Sequence, residues 1–243
     1  MPESTAEQFV AELKSHSSPA ELKMFEHYLQ SGENKEYASE DAFMGVRMGT
    51  IFALAKTHMN MAPHEIEKLL ESPFHEVRVG GVSIMDWQAR DKKTPESRKK
   101  ELFDLYIRRH DRINNWDLVD RSAPYVVGGY LVDKPRDILY KLARSKNLWE
   151  RRTAIVSTYF FIRQNDLNDT FKIAEILVHD KEDLVQKAVG GWIREAGKKD
   201  LQKLLHFLDA YAATMPRVML RYAVEHLDKK IKEHYILAGK AAK

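Results

Sequence analysis

Five segments of the chain repeat one pattern, in which a polar or basic turn leads into small and aliphatic residues at helical spacing. They span residues 75–85, 116–126, 149–159, 184–194 and 218–228. Their fourth residues are separated by 41, 33, 35 and 34 residues, a period typical of stacked helical pairs and not of a four-helix bundle. The repeat therefore predicts a solenoid of helical pairs, each packed on its neighbours.

Helical spacing also continues between these segments, and alternating runs of period two are nearly absent. Residues that favour a helix start divide the chain into about a dozen helices of ordinary length. These residues are Thr5, Ser18 with Pro19, Pro63, Pro73, Pro95, Pro135, Asp180 and Pro216. One helix is expected over residues 50–58. Because no linker rich in Pro, Gly or Ser interrupts the pattern, residues 1–243 are predicted to form a single all-α domain.

The composition excludes several classes of function. The absence of cysteine excludes a disulfide scaffold, a Cys-ligated metal site and thiol catalysis. The ten histidines form no HExxH motif, and no phosphate-binding glycine loop is present, so we expect neither a metal nor a nucleotide cofactor. Neither an export signal nor a run of about 18 apolar residues occurs, so we expect a cytoplasmic protein without a membrane partner.

The distribution of charge is more informative than the net charge of +3. Four of the five register positions are basic, namely Arg78, Arg152, Lys187 and Arg221. If the second helix of each pair lines the concave face of a curved solenoid, these residues form a positive stripe there. Such a stripe is suited to duplex DNA or RNA, because each neutralised phosphate releases condensed counterions. The alternative is that the same residues cap and solvate helices.

The segment over residues 107–124 has the composition most suggestive of chemistry. Trp116 and Asp120 are four residues apart and share one helix face, whereas Asp117 lies about 100° away around the helix. A neighbouring repeat adds Arg151 and Arg152. An aromatic ring, a carboxylate and a guanidinium together suit a cationic substrate on a phosphate backbone. Alternatively, Trp116 fills the core and Asp120 pairs with Arg121, Arg152 or a helix N-terminus.

Four motifs in order, NNWDLVDRSAP, NLWERRTAI, DLVQKAVGGWIREAGKKD and MPRVMLRYAVEHL, resemble the AlkD-type alkylpurine DNA glycosylases. The similarity covers most of the chain and is densest over residues 75–227. That family is built from HEAT-like helical repeats. The resemblance implies a bacterial repair enzyme that hydrolyses the N-glycosidic bond of N3- or N7-alkylated purines in duplex DNA, without drawing the base into a pocket.

The resemblance also implies roles for individual residues. Trp116 matches the aromatic residue that contacts the deoxyribose of the lesion. Asp120 matches the carboxylate that stabilises the oxocarbenium-like sugar and positions water. Arg152 matches the arginine that binds a phosphate beside the lesion, and Tyr28 matches a tyrosine that lines the cleft.

The chain departs from the family at the second tryptophan of the cleft. It reads Val189-Gly190-Gly191-Trp192, where family members commonly have one glycine before the tryptophan. In direct alignment Gly191 takes the place of the aromatic, and Trp192 lies one position later, about 100° around the helix. Either a shift of the helix brings Trp192 to the lesion, or Trp192 belongs to the core and the cleft lacks one aromatic wall.

Two further arginines, Arg194 and Arg217, are candidates for contacts with DNA. Arg217 and Arg221 lie around a helix start set by Pro216. No motif places a lysine for Schiff-base chemistry, so a monofunctional glycosylase that acts as a monomer in the cytoplasm, on the nucleoid when bound, is expected. One alternative is a non-catalytic repeat protein that binds damaged or branched DNA, and another is a scaffold for protein partners.

Overall fold

The computed structural model describes the backbone of residues 4–30 and 41–241, and side chains of residues 4–24 and 41–238. The side chain of Tyr28, a predicted cleft residue, lies outside the described residues. Within the described part every regular element is helical, and the only β pairing is an isolated bridge between Ala42 and Phe74. The predicted all-α class is therefore confirmed.

The chain divides into two compact units, Met1–Tyr130 and Leu131–Lys243. The first contains α1 (Ala6–Ser15), α2 (Pro19–Gln30), α3 (Met48–Thr57), α4 (Pro63–Leu70), α5 (His75–Arg90), α6 (Glu96–Arg108) and α7 (Trp116–Ser122), with a 3-10 turn (His110–Arg112) and a π-helix (Ala123–Gly129). The second contains α8 (Asp137–Ala143), α9 (Leu148–Arg163), α10 (Asn168–Leu177), α11 (Asp183–Gly197), α12 (Leu201–Tyr211), α13 (Arg217–Ala223) and α14 (Lys229–Ala241).

Each unit has two layers of helices. In the first unit α3, α5 and α7 pack side by side, and α4 and α6 pack against each other and against α5. In the second unit α9, α11 and α13 form the corresponding row, and α8, α10 and α12 pack against it. All five repeated segments begin within the helices of these rows. The sequence period therefore identified one helix of each pair correctly.

Most of the predicted helix starts agree with the structure. Thr5 caps α1 through a reciprocal hydrogen-bonded box with Gln8. Pro19 and Pro63 are first residues of their helices, and Pro95 and Pro216 immediately precede theirs. The helices expected near Pro73, Pro135 and Asp180 begin two or three residues later, and the one expected over residues 50–58 is α3, which begins at Met48.

Helix α5 is the centre of the first unit. It contacts α3, α4, α6 and α7, and only three of its sixteen residues are not buried. These are Trp87, Ala89 and Arg90, all in its last turn. A helix surrounded in this way must supply partners for each polar side chain that it carries into the interior.

The first turn of α5 binds residues 41–46, the segment that precedes α3. The Glu76 carboxylate is fully buried and accepts hydrogen bonds from the backbone N–H groups of Met44 (3.0 Å), Gly45 (2.8 Å) and Val46 (3.4 Å). Gly45 has φ of 75° and a Cβ there would lie 2.6 Å from the Ser18 carbonyl oxygen. Glycine is therefore required for the turn that receives this carboxylate.

Two adjacent glycines of α11 have opposite surroundings. A Cβ at Gly190 would lie 2.4 Å from the Met219 carbonyl oxygen and 2.7 Å from Tyr222 Cβ, so α11 and α13 approach each other closely there. A Cβ at Gly191 would meet no atom within 4 Å among the described residues.

This contrast predicts opposite effects of alanine at neighbouring positions. Gly190→Ala should destabilise the protein by about 1–3 kcal/mol, because α11 and α13 must separate. Gly191→Ala, the matched control, should stabilise it by about 0.5–1 kcal/mol through helix propensity. Urea unfolding of the two variants and the wild type measures both effects. Equal stability of the two variants would contradict the packing described for Gly190.

Candidate functional site

Helix α7 presents a polar face to solvent and an apolar face to the core. Asn115 caps it by accepting the Trp116 backbone N–H at 2.7 Å. Leu118, Val119 and Ser122 are buried, whereas Trp116 and Asp120 are partly exposed. The predicted pair therefore lies on the partly exposed face of one short helix. Both residues keep partial exposure at this surface.

The helix changes form after Ser122, two residues beyond Asp120. Pro124 has no backbone N–H and cannot donate the α-helical hydrogen bond to the Asp120 carbonyl. The chain continues as a π-helix over Ala123–Gly129, and Ala123, Pro124, Val126, Val127 and Gly128 are buried. Such π-helical segments occur frequently at functional sites. Pro124 belongs to the motif NNWDLVDRSAP, but helical spacing alone did not predict this change of helix type.

Buried charges hold the first turn of α7. His75, the first residue of α5, lies with Nε2 2.7 Å from Asp117 Oδ2 and with Nδ1 3.1 Å from Asp41 Oδ2. Arg78 donates to Asp41 Oδ1 at 2.5 Å and to the Ser72 carbonyl at 3.3 Å. We call His75, Asp41, Asp117 and Arg78 the His75 cluster. It contains two cations and two anions and joins α5 to α7.

The His75 imidazole is charged in this environment. Carboxylate oxygens only accept hydrogen bonds, so contacts at both ring nitrogens require both to carry a proton. Burial disfavours the charge, but the charges and hydrogen bonds of Asp117 and Asp41 outweigh it and raise the pKa of His75 to about 9. Burial also opposes ionisation of Asp41, but hydrogen bonds from His75 and Arg78 lower the pKa of that carboxyl.

A second buried group of charges adjoins the last turn of α7. Asp86 is completely buried on α5 and lies 2.7 Å from Arg90 Nε and 3.3 Å from Arg121 Nη2. Arg121 also donates to Ser83 Oγ at 3.2 Å, and its guanidinium lies 4.5 Å from the centre of the Phe52 ring. Burial raises the pKa of Asp86. Arg121 thus fixes the helix turn that contains Asp120.

Sequence reasoning missed His75, Asp41 and Asp86. The available signal was the presence of polar residues at three of the first four positions of a segment otherwise filled by small and aliphatic residues. A helix buried on that many sides requires partners for those side chains. The partner Asp41 lies in a segment with no regular pattern, so the pairing itself was not readable from the spacing.

The four basic register positions do not form the exposed positive stripe that the sequence predicts. Arg78 is 1% exposed and belongs to the His75 cluster, so the prediction that it contacts DNA is wrong for this structure. Arg152 is 7% exposed, and its Nη1 donates to the Leu184 carbonyl. Lys187 is partly exposed and pairs with Asp183 at 2.5 Å. Of the four, only Arg221 is exposed, and it makes no side-chain hydrogen bond or ion pair with the described residues.

The other candidate arginines of the second unit are also engaged. Arg194 pairs with Glu195 and with Glu225, and Arg217 donates to the Ile236 carbonyl at 3.1 Å. Both side chains keep partial exposure. The sequence placed these two arginines near helix starts and helix faces but did not distinguish exposed side chains from internally paired ones.

Trp192 and Gly191 lie side by side on a partly exposed part of α11. The Trp192 indole packs on Tyr159 of α9, with ring centres 5.1 Å apart, and is partly exposed. A Cβ at Gly191 would face open space as far as the described residues extend. The position at which the sequence resemblance predicts an aromatic is thus glycine, and the neighbouring indole forms a contact between α9 and α11.

The described residues contain no group of three or more His, Asp or Glu side chains arranged to hold a metal ion. None of their helices combines the length and apolar character needed to cross a bilayer.

The His75 cluster predicts a specific dependence of stability on pH. A pKa raised from 6.5 to about 9 stabilises the folded state fully below pH 6.5, and this stabilisation is lost as pH rises through 9. The free energy of unfolding of the wild type should exceed that of His75→Gln by about 3 kcal/mol near pH 6, and the titrating part of this difference should vanish above pH 9. Urea unfolding between pH 6 and pH 9.5 measures it, with exposed His64→Gln as control. A difference that does not change with pH would contradict a charged His75.

Comparison with known proteins agrees with this architecture. No curated protein sequence matches the chain. A solved structure described as a predicted DNA alkylation repair enzyme from Enterococcus faecalis superposes with a TM-score of 0.70 at 16% identity, covering 88% of this chain and 98% of that one. This likeness shows the fold. The profile of the DNA alkylation repair enzyme family matches residues 9–227. The chain therefore belongs to the DNA alkylation repair enzyme family.

Proposed function

We propose that this protein is a monofunctional DNA glycosylase that releases cationic N3- or N7-alkylated purines from duplex DNA. The proposal rests on Trp116 and Asp120, which share the partly exposed face of α7. Buried charges hold this helix at both ends. The membership in an alkylation repair family supplies the substrate class.

The chemistry requires stabilisation of positive charge on the sugar. As the bond between C1′ and the purine nitrogen breaks, its electron pair neutralises the departing base, and positive charge develops on the deoxyribose. A fixed carboxylate at Asp120 stabilises that charge, and the electron-rich face of Trp116 adds a cation–π attraction. Water then adds to C1′, and its proton is lost to Asp120 or to solvent. The products are the free base and an abasic site.

Residues of the second unit would bind the DNA backbone. Arg152 is the candidate for a phosphate beside the lesion, and the Leu184 carbonyl holds its guanidinium in one orientation. A pre-oriented guanidinium binds phosphate oxygens with less loss of side-chain entropy. Arg221, Arg217, Arg194 and Lys187 are the further candidates, with Arg221 the most accessible. The protein would act as a monomer without a cofactor.

One observation favours a second candidate, a non-catalytic protein that binds damaged or branched DNA. Gly191 leaves open the place of an aromatic wall. Loss of that wall removes a contact worth about 0.5–2 kcal/mol with a cationic base. The retained Asp120 favours catalysis.

The first experiment measures release of free base from methylated duplex DNA, with N3-methyladenine and N7-methylguanine separated by chromatography. Asp120→Asn should lower the rate by a factor on the order of 100 or more, because it removes the stabilising charge. Asp104→Asn, an exposed carboxylate paired with Lys100 on α6, is the control and should retain the wild-type rate.

Equal rates for the wild type and Asp120→Asn would refute the assigned role of this carboxylate. A wild type that binds DNA but releases no base would establish the second candidate. Borohydride-trapped adducts with DNA would refute the monofunctional mechanism.

The exposure of the basic residues predicts which of them contribute to the salt dependence of DNA affinity. Arg221→Gln should reduce the slope of log affinity against log salt by about 1, because each phosphate contact contributes about 0.9. Lys14→Gln serves as control, an exposed lysine on α1. An unchanged slope for Arg221→Gln, measured by fluorescence anisotropy at several salt concentrations, would exclude Arg221 from the interface.

A further inference from the structure

His75 occupies a position that packing alone does not explain. It is 3% exposed, yet both ring nitrogens point at carboxylates from different parts of the chain. Asp41 precedes α3, and Asp117 belongs to α7. Burying an imidazolium is unfavourable unless its charge is compensated, and here two anions compensate it.

His75 contacts α7 at Asp117, which lies in the sequence between the two candidate site residues. Asp117 follows Trp116 directly and precedes Asp120 by three residues. Its Oδ2 contacts His75, and its Oδ1 accepts the Leu118 backbone N–H at 2.8 Å. One carboxylate therefore joins the first turn of α7 to the buried ring. α7 has only seven residues, so a movement of its first turn displaces Asp120 as well.

We propose that His75 is a positioning residue, which fixes α7 through Asp117 so that Trp116 and Asp120 meet the sugar in a single geometry. The catalytic consequence rests on the proposed glycosylase function. His75 itself does not touch the substrate. The charged groups that face the ring are Asp41 and Asp117, and Arg78 acts on it through Asp41.

A double-mutant cycle distinguishes positioning from a general effect on folding. His75→Gln and Asp117→Asn should each lower the single-turnover rate of base release by a factor on the order of 100, because a displacement of about 1 Å at a reacting group has that effect. The double variant should be no slower than either single variant, since both remove the same link. Affinity for duplex DNA should change less than twofold.

The matched control is Asp169→Asn in the second unit. Asp169 has 17% side-chain exposure against 20% for Asp117, and it accepts from Arg136 at 2.5 Å as Asp117 accepts from His75. This variant loses a partly buried ion pair on a helix without a candidate catalytic residue. It should keep the wild-type rate. If His75→Gln does not fold, Asp117→Asn carries the test.

Amide hydrogen exchange provides a readout that does not depend on base release. In His75→Gln and Asp117→Asn the amides of residues 118–122 should exchange faster by about tenfold or more, and in Asp169→Asn they should not. Wild-type rates in His75→Gln, or losses that multiply in the double variant, would overturn the proposal. If the wild type releases no base, the proposed glycosylase function is wrong. Unchanged amide exchange in α7 of His75→Gln and Asp117→Asn would separately overturn the positioning role.

Discussion

The charged side chains buried on α5 are the constraint on which the first unit depends. A helix packed on α3, α4, α6 and α7 cannot hydrate the charges that it carries, so neighbouring segments must supply their partners. Backbone N–H groups of residues 44–46 donate hydrogen bonds to Glu76. Two aspartates pair with His75, and two arginines pair with Asp86. These contacts join the segment before α3 to α5 and α5 to α7. The interior of the unit is thus organised by polar links as well as by apolar packing.

The consequence for function lies in α7. Seven residues form a weak helix by themselves, because few hydrogen bonds offset the cost of nucleation. Links at Asp117 and Arg121 fix both ends of this helix to α5. A carboxylate stabilises a transition state most effectively when it needs no reorganisation as charge develops. The buried charges thereby connect the stability of the fold to the proposed chemistry of Asp120.

The fold was predictable from the sequence because the period of the repeat reflects the stacking of helical pairs. A helix that starts shortly after Pro73 and the shared helix face of Trp116 and Asp120 follow from local spacing. The role of Arg78 was not predictable, because register specifies a helix and not whether a side chain points to solvent or to Asp41. The same limit applies to Arg152 and Lys187, whose partners are set by packing. Gly190 and Gly191 show the same limit. Only the position of the neighbouring helix reveals that a side chain is excluded at Gly190 and not at Gly191.

The proposed reaction depends on stabilisation of positive charge on the sugar by Asp120. The most direct measurement compares binding of two duplexes, one with a neutral tetrahydrofuran abasic site and one with a cationic pyrrolidine analogue of the oxocarbenium ion. The wild type should prefer the cationic duplex by a factor on the order of 100, as expected for a mimic of the transition state, and Asp120→Asn should lose that preference. Equal affinity of the wild type for the two duplexes, or a preference that survives in Asp120→Asn, would contradict the account.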